Sequence, residues 1–329
     1  MKRLAVIGGG AWGTALATVA ARAGTAVVLW ARDAAIVAAI ERRHENPVYL
    51  PGIALDPAIA ATTDMAVALA GAEAVLVVVP AQFLRGTLGV LMSHLRATVP
   101  LLLCAKGIET GTLMTMSEIA AEICRETPVA VLSGPSFAAE VARGLPSAVT
   151  IASREPALAG AFVAALGGAR FRPYLSQDPI GAEIGGAVKN VLAIACGIIA
   201  GRELGDNARA ALITRGLAEI IRLGLAKGAA AETFRGLSGL GDLVLTCTGG
   251  QSRNYTLGVA LGRGATLAAA LAGRRSVVEG VATAAAVAQL AAQLAIEMPI
   301  TAAVDGVLHR GMAIDMMIED LLRRPYRSE

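Results

Sequence analysis

A chain of 329 residues, 55% hydrophobic and 17% charged, holds enough apolar material for one large or two ordinary globular domains and too little charge for disorder. Twenty-nine basic against 26 acidic residues leave a net charge of +3, and the arginines are scattered, so no basic stripe argues for a nucleic-acid partner. Apolar runs such as Val191 to Ala200 break before the roughly 20 residues of a membrane-spanning helix, and no small-residue cleavage site follows the first residues; a cytoplasmic protein without membrane insertion is expected.

Leu4 to Ile7 reads as a short strand, followed by Gly8-Gly9-Gly10-Ala11-Trp12-Gly13 and an alanine-rich stretch of helical composition. Ala26 to Trp30 is the second predicted strand, and Asp33 is placed to cap a helix running to Arg43. Ala74 to Val79, Pro100 to Cys104, Val129 to Leu132 and Ala148 to Ile151 are further strands. Alternation of strand and helix over this half predicts a parallel, doubly wound sheet of the Rossmann type. Beyond Pro179 the β-branched runs stop, Ile180 to Gly201 has helical length, and the remainder reads as all-helical. The expected division is residues 1–180 for a dinucleotide-binding domain and 181–329 for a helical, substrate-binding domain.

Gly8, Gly10 and Gly13 form the pattern G-x-G-x-x-G directly between a strand and a helix. There the glycines allow a tight turn, a close approach to pyrophosphate, and helix-on-strand packing. Asp33 falls near the count for an acidic residue on an adenosine ribose. The strand, however, ends at Trp30 and Ala31, which brings Arg32 closer, and a guanidinium there accommodates the extra phosphate of NADP. NADP is therefore expected to be tolerated, with NAD left open.

Of the 29 basic residues only four are lysines, Lys2, Lys106, Lys189 and Lys227, so each is worth inspecting. Lys106 and the segment Ser133-Gly134-Pro135-Ser136 both follow predicted strands, at the edge where open α/β sheets bind ligands; Ser136 is also placed to cap a helix running to Arg143. Lys189 and Asn190 lie among Ile184, Val188, Val191, Leu192 and Ile194. Burial disfavours the ammonium, and a second lysine nearby depresses its pKa further, which makes such an amine a proton donor and acceptor near neutrality. Snorkelling from a helix edge is the alternative. Asp242, Thr246, Ser252, Arg253 and Asn254 form a dense polar group among glycines; it suits a phosphate gripped by Arg, or else a solvated loop. The four cysteines are far apart and lack metal-ligand spacing, so neither zinc nor a disulfide is expected. His44, His94 and His309 read as surface or capping residues.

Taken in order, these segments resemble the bacterial NAD(P)-dependent glycerol-3-phosphate dehydrogenases over nearly the full length. The matching motifs include Ala11-Trp12-Gly13-Thr14-Ala15, Asn46-Pro47-Val48-Tyr49-Leu50-Pro51-Gly52, Val79-Pro80-Ala81-Gln82, Ala105-Lys106-Gly107-Ile108-Glu109, Ser133-Gly134-Pro135-Ser136-Phe137-Ala138, Ala187-Val188-Lys189-Asn190 and Gly239-Leu240-Gly241-Asp242-Leu243. The resemblance implies hydride transfer between NAD(P)H and C2 of dihydroxyacetone phosphate, with Lys189 as general acid/base and with Lys106 and Asp242 lining the same site. It implies substrate contacts from Lys106, Gly134, Ser136, Lys189, Asn190, Asp242, Thr246, Ser252, Arg253 and Asn254. Dinucleotide contacts are implied for Gly8, Gly10, Ala11, Trp12, Gly13, Arg32, Tyr49, Lys106, Ala138, Arg253, Val277 and Glu279. No metal is implied. A homodimer and a role in making glycerol 3-phosphate for phospholipids follow from the same likeness. The rivals are a 3-hydroxy acid dehydrogenase or ketopantoate-type reductase of similar architecture and, from another class, a dinucleotide-sensing regulator without turnover.

Overall fold

The computed structural model describes residues 1–325. Ten strands follow in chain order: β1 (Arg3–Ile7), β2 (Ala26–Trp30), β3 (Glu45–Asn46), β4 (Leu50–Ala54), β5 (Ala60–Thr62), β6 (Ala74–Val77), β7 (Leu101–Leu103), β8 (Val129–Ser133), β9 (Ser147–Ala152) and β10 (Phe171–Ser176). Eight form one sheet in the order β10-β9-β8-β7-β6-β1-β2-β5, and β3 pairs with β4 as a separate hairpin. Helices α1 (Ala11–Arg22), α2 (Ala34–Arg43), α3 (Met65–Leu69), α4 (Leu84–Met92), α5 (Met116–Ile123), α6 (Ala138–Arg143) and α7 (Pro156–Leu166) connect the strands. Because successive side chains of a strand point to opposite faces, Leu4 and Val6 of β1 enter a core with Leu16 and Phe162, while Ala5 and Ile7 enter a second core with Leu84 and Leu101. Both faces are apolar, so both are covered by helices.

The sheet departs from the all-parallel expectation at one edge. β9 runs antiparallel to β8, and β10 is parallel to β9. The reversal sits where a parallel sheet tolerates it, in the outer pair β9 and β10 beyond β8, and the chain reaches β9 through α6, six residues packed against α1. Arg22 of α1 holds the end of α6 by donating to the carbonyls of Val141 (3.2 Å) and Ala142. The strands not foreseen are β3, β4, β5 and β10. The last is an edge strand with Pro173 inside it and Tyr174 and Leu175 exposed, and edge strands accept proline and lack the apolar run of a central one.

The second half is helical throughout the described residues: α8 (Pro179–Gly201), α9 (Gly205–Ala226), α10 (Asp242–Thr248), α11 (Arg253–Gly262), α12 (Leu267–Leu271), α13 (Glu279–Gln293), α14 (Pro299–His309) and α15 (Ile314–Leu322). Asp178 caps α8 by accepting from the Gly181 N–H (2.9 Å). At 23 residues and a mean hydropathy of 1.7, α8 is long and apolar enough to cross a membrane, contrary to the break read at Val191 to Ala200. Its apolar stretch is instead 89% buried inside the protein, as the central helix of the domain. Glycines decide what lies against it. A side chain at Gly197 would overlap the Tyr255 carbonyl, and one at Gly258 would overlap that of Ile194; the bare pairs Gly197/Gly258 and Gly201/Gly262 bring α11 into backbone contact with α8. Gly185 likewise accepts the carbonyl of Ser238, which seats the π-helical turn Leu237–Gly241 that leads into α10. The middle of α8 thereby faces the first turns of both α10 and α11.

Candidate active site

The turn after β1 is shaped by two glycines and left open at the third. Gly8 has φ 130°, and a side chain there would overlap the Val78 carbonyl, while one at Gly13 would overlap that of Gly8. At Gly10 nothing lies within 4 Å of where a side chain would start. Gly10 is the N-cap of α1, no side chain caps that helix, and its first turn carries no acidic residue. Its leading N–H groups thus face an open cradle at a positive helix end, which suits a pyrophosphate. Trp12 packs partly against the domain core, with a buried indole N–H that has no partner. Asp33 caps α2 through the Ala35 N–H (2.8 Å), and Arg32 is exposed just past β2. Tyr49 is half-buried in the turn of the β3–β4 hairpin, its N–H bound to the Asn46 side chain (3.1 Å).

Beyond β7, at the same edge of the sheet as this turn, a single carboxylate joins two lysines. Asp242, fully buried at the start of α10, takes the Lys106 ammonium on Oδ2 at 2.7 Å and the Lys189 ammonium on Oδ1. Lys106 also donates to the Gly134 carbonyl (2.8 Å), and Lys189 to the Thr246 hydroxyl (2.9 Å). Thr246 in turn donates to the Asp242 backbone carbonyl (2.6 Å). Desolvation lowers the Lys189 pKa to about 8; Asp242 works against that shift, and the Lys106 charge adds to it. The Lys189 side chain is 8% exposed, against 16% for that of Lys106.

Asn190, one residue on, has its amide hydrogens on the carbonyls of Lys106 (3.2 Å) and Gly186 (3.4 Å), and its oxygen accepts from Asn254 (2.9 Å). Asn254 accepts from the Gly280 N–H (2.9 Å), which ties α8, α11 and α13 together. Ser252 caps α11 through the Tyr255 N–H (3.2 Å), leaving Arg253 exposed at the first helical position. Glu279, at the start of α13, accepts from the Ala81 N–H across the two halves (3.1 Å), while its other oxygen is buried without a partner beside Gly107. Burial raises Glu279 to about 7, with the Ala81 N–H and Arg253 opposing that shift. Val277 is exposed two residues earlier.

Ser136 does not cap α6. Phe137 holds the N-cap position, α6 starts at Ala138, and the Ser136 hydroxyl donates to the Gly134 carbonyl (3.0 Å) instead. Gly134 itself needs its freedom, with φ 126° and the β9 backbone at Val149 against it. Of the histidines, His44 ends α2 in a left-handed conformation, and His309 faces Asp305 (2.9 Å).

Three residues without a predicted role prove to hold the site together. Gln82 spans the loop after β7, donating to the Ile108 carbonyl (2.8 Å) and accepting from the Thr110 N–H (3.0 Å). Glu183 on α8 accepts from the N–H (2.7 Å) and hydroxyl of Ser117 at the start of α5. Asn46 bonds the glycine turn itself. Glu183 carries one signal in sequence, a charge amid buried neighbours, and Asn46 and Gln82 carry none; in no case does the sequence say which element the side chain reaches.

Comparison with known proteins agrees with this geometry. Residues 3–159 match the family model for the N-terminus of NAD-dependent glycerol-3-phosphate dehydrogenase, and residues 178–319 match that for its C-terminus. A glycerol-3-phosphate dehydrogenase [NAD(P)+] of Rhodospirillum rubrum is 60% identical over 99% of this chain and 93% of its own, and that of Caulobacter vibrioides is 56% identical over 100% and 99%. The crystal structure of glycerol-3-phosphate dehydrogenase from Coxiella burnetii superposes with a TM-score of 0.95 at 40% identity, covering 98% of this chain and 99% of that one. On these matches, spanning both halves and every segment that builds the cradle and the lysine pair, the chain belongs to the NAD-dependent glycerol-3-phosphate dehydrogenase family.

Proposed function

We propose that this chain reduces dihydroxyacetone phosphate to sn-glycerol 3-phosphate with NAD(P)H, and runs the reverse reaction, using Lys189 as the general acid/base. The observation that carries the assignment is the pair of lysines on one buried carboxylate, with Lys106 just past β7 at the same strand-end edge of the parallel sheet as the uncapped N-terminus of α1. When bound, the reduced dinucleotide supplies the hydride that C2 accepts. Gly10, Ala11, Trp12 and the leading N–H groups of α1 would hold its pyrophosphate, with Tyr49, Ala138, Val277 and Glu279 around it. Arg32, exposed just past β2, suits a 2′-phosphate, so NADP is accepted, with NAD left open beside it.

Lys189 delivers its proton to the oxygen on C2 as the carbonyl becomes an alcohol, and takes it back in the oxidative direction. With a pKa lowered to about 8, it holds a proton at neutral pH yet releases it readily, the match a general acid/base needs. Asp242 keeps both ammonium groups aimed at one point, and Lys106 stabilises the charge that grows on the same oxygen. Arg253, with Ser252 and Asn254 beside it, would grip the phosphate and so fix C2 at a set distance from Lys189. Residues 1–180 would carry the cofactor and 181–329 most of the substrate contacts. The four cysteines are buried and unpaired, which suits a cytoplasmic enzyme, and a homodimer is the assembly its likeness to the family supports.

The test is oxidation of NADPH followed at saturating dihydroxyacetone phosphate, beside unphosphorylated dihydroxyacetone and a keto acid. Turnover with the phosphate alone is expected. Arg253→Ala should raise the KM for dihydroxyacetone phosphate by about tenfold or more, the scale of a lost charge-assisted hydrogen bond, with little change in thermal midpoint. Equal rates on the keto acid would point to the ketopantoate-type reading and end this one.

A further inference from the structure

The glycine turn has a side-chain strut. Asn46, the last residue of β3, is fully buried and far in sequence from the turn it touches. Its amide nitrogen donates to the Gly9 carbonyl at 2.9 Å and to the Thr14 hydroxyl at 2.8 Å, and its oxygen accepts from the Tyr49 N–H at 3.1 Å. An asparagine has two donor hydrogens and an acceptor on one small plane, and here all three are used on different segments: the glycine turn, the first turn of α1, and the hairpin that carries Tyr49.

The peptide bond turns this contact into control of the cradle. The Gly9 carbonyl and the Gly10 N–H belong to one planar trans unit and point in opposite directions. Holding the Gly9 oxygen towards the buried amide therefore fixes the direction of the Gly10 N–H, the first donor of the uncapped α1 terminus. A run of three glycines, Gly8 to Gly10, has the largest backbone freedom to lose on binding an anion, so a strut that removes that freedom beforehand lowers the cost of binding.

We propose that Asn46 is a positioning residue for the dinucleotide. It locks the Gly9–Gly10 peptide and the Tyr49 backbone into a preformed cradle and takes no part in the chemistry at Lys189. The inference rests on the reading of the glycine turn as the pyrophosphate site. It adds that this site is built by a residue of the hairpin outside the main sheet.

Asn46→Asp keeps the acceptor for the Tyr49 N–H and places an oxygen against the Gly9 carbonyl. Titration of NADPH fluorescence should show its Kd raised about tenfold or more, as expected when a buried hydrogen bond becomes an unpaired contact. At saturating NADPH, kcat, the KM for dihydroxyacetone phosphate and the pH profile should stay within about threefold of the parent, since the lysine site is untouched. Thr14→Val removes one acceptor but leaves the Gly9 contact; it should lower the thermal midpoint with an NADPH Kd close to the parent's. Should Asn46→Asp not yield folded protein, Asn46→Ser, smaller and retaining one donor, takes the same titration with the same expectation. An NADPH Kd within twofold of the parent in the folded variant, or a kcat loss as large as the loss of affinity, would overturn the strut. Gly10→Ala separates the two readings: if it too leaves the NADPH Kd unchanged, the cradle itself is misplaced, whereas weakened binding there with normal binding in Asn46→Asp rejects the strut alone.

Discussion

The glycine turn and the lysine pair would meet the same need, stabilising negative charge, by opposite means. On the β1–α1 side the donors would be backbone N–H groups of the glycine turn and the first turn of α1, uncharged and contiguous in the chain. At the lysine pair they would be two ammonium groups around one buried carboxylate, gathered from positions 106, 189 and 242. A pyrophosphate keeps its charge throughout the reaction, so a fixed dipole suffices to hold it. The oxygen on C2 gains and loses a proton, so the group facing it must titrate, and burial together with the neighbouring Lys106 charge brings Lys189 into range against the pull of Asp242. The division predicts that binding and turnover can be broken separately.

Lys189→Ala gives the largest effect. Turnover should fall by about 10² to 10⁴, the usual contribution of a positioned general acid/base, while NADPH titrates with an unchanged Kd. The pH profile sharpens the same point. With Lys189 lowered to about 8, the reductive kcat requires the ammonium and should decline as pH rises through that value, whereas the oxidative kcat requires the free amine and should rise across it. A flat profile in both directions would remove the lysine from the proton's path.

Gly10→Ala is the mirror experiment and the intermediate effect. The position has open space around it, so the variant should fold with a thermal midpoint near the parent's, yet the added methyl occupies the cradle. The NADPH Kd should rise by about tenfold, a loss of the order of one hydrogen bond, with the pH profile kept. Gly13→Ala, where the methyl would overlap the Gly8 carbonyl, should instead lower stability.

The smallest effect belongs to the seam between the two sides. Burial raises Glu183 to about 7 from an ordinary value of 4.5. Between those values the folded chain keeps a proton that the unfolded chain has released, so this group's contribution to stability is full below the window and declines as pH rises through it. Glu183→Gln should flatten the fall in urea midpoint between about pH 4.5 and 7 and leave NADPH affinity and the pH dependence of turnover as they were. An unaltered slope would place the carboxyl in a more hydrated setting than its contacts with Ser117 describe.

How much of this was legible follows the same division. The strand, glycine turn and helix at the N-terminus could be read directly because each signal is local: a β-branched run, G-x-G-x-x-G, then alanines. Lys189 stood out because a charge inside an apolar helix is locally anomalous. Edge elements escaped, since β10 carries Pro173 and exposed Tyr174, and β3 is two residues long. The reversed pairing of β9 with β8 is a tertiary choice that neither strand's own residues mark.

The amino-acid sequence by itself determined the fold class, the glycine turn between β1 and α1, and the family, because periodicity, glycine spacing and contiguous motifs act over a few residues. Only the tertiary structure decided that one carboxylate serves both lysines, that Asn190 and Asn254 bind each other, and that Asn46 reaches the Gly9 carbonyl. Those contacts join residues 64 apart in the second case and 37 apart in the third. No local pattern encodes such pairs; they exist because bare glycines on α8 and α11 let two helix backbones touch, and because a folded hairpin brings an amide to a turn.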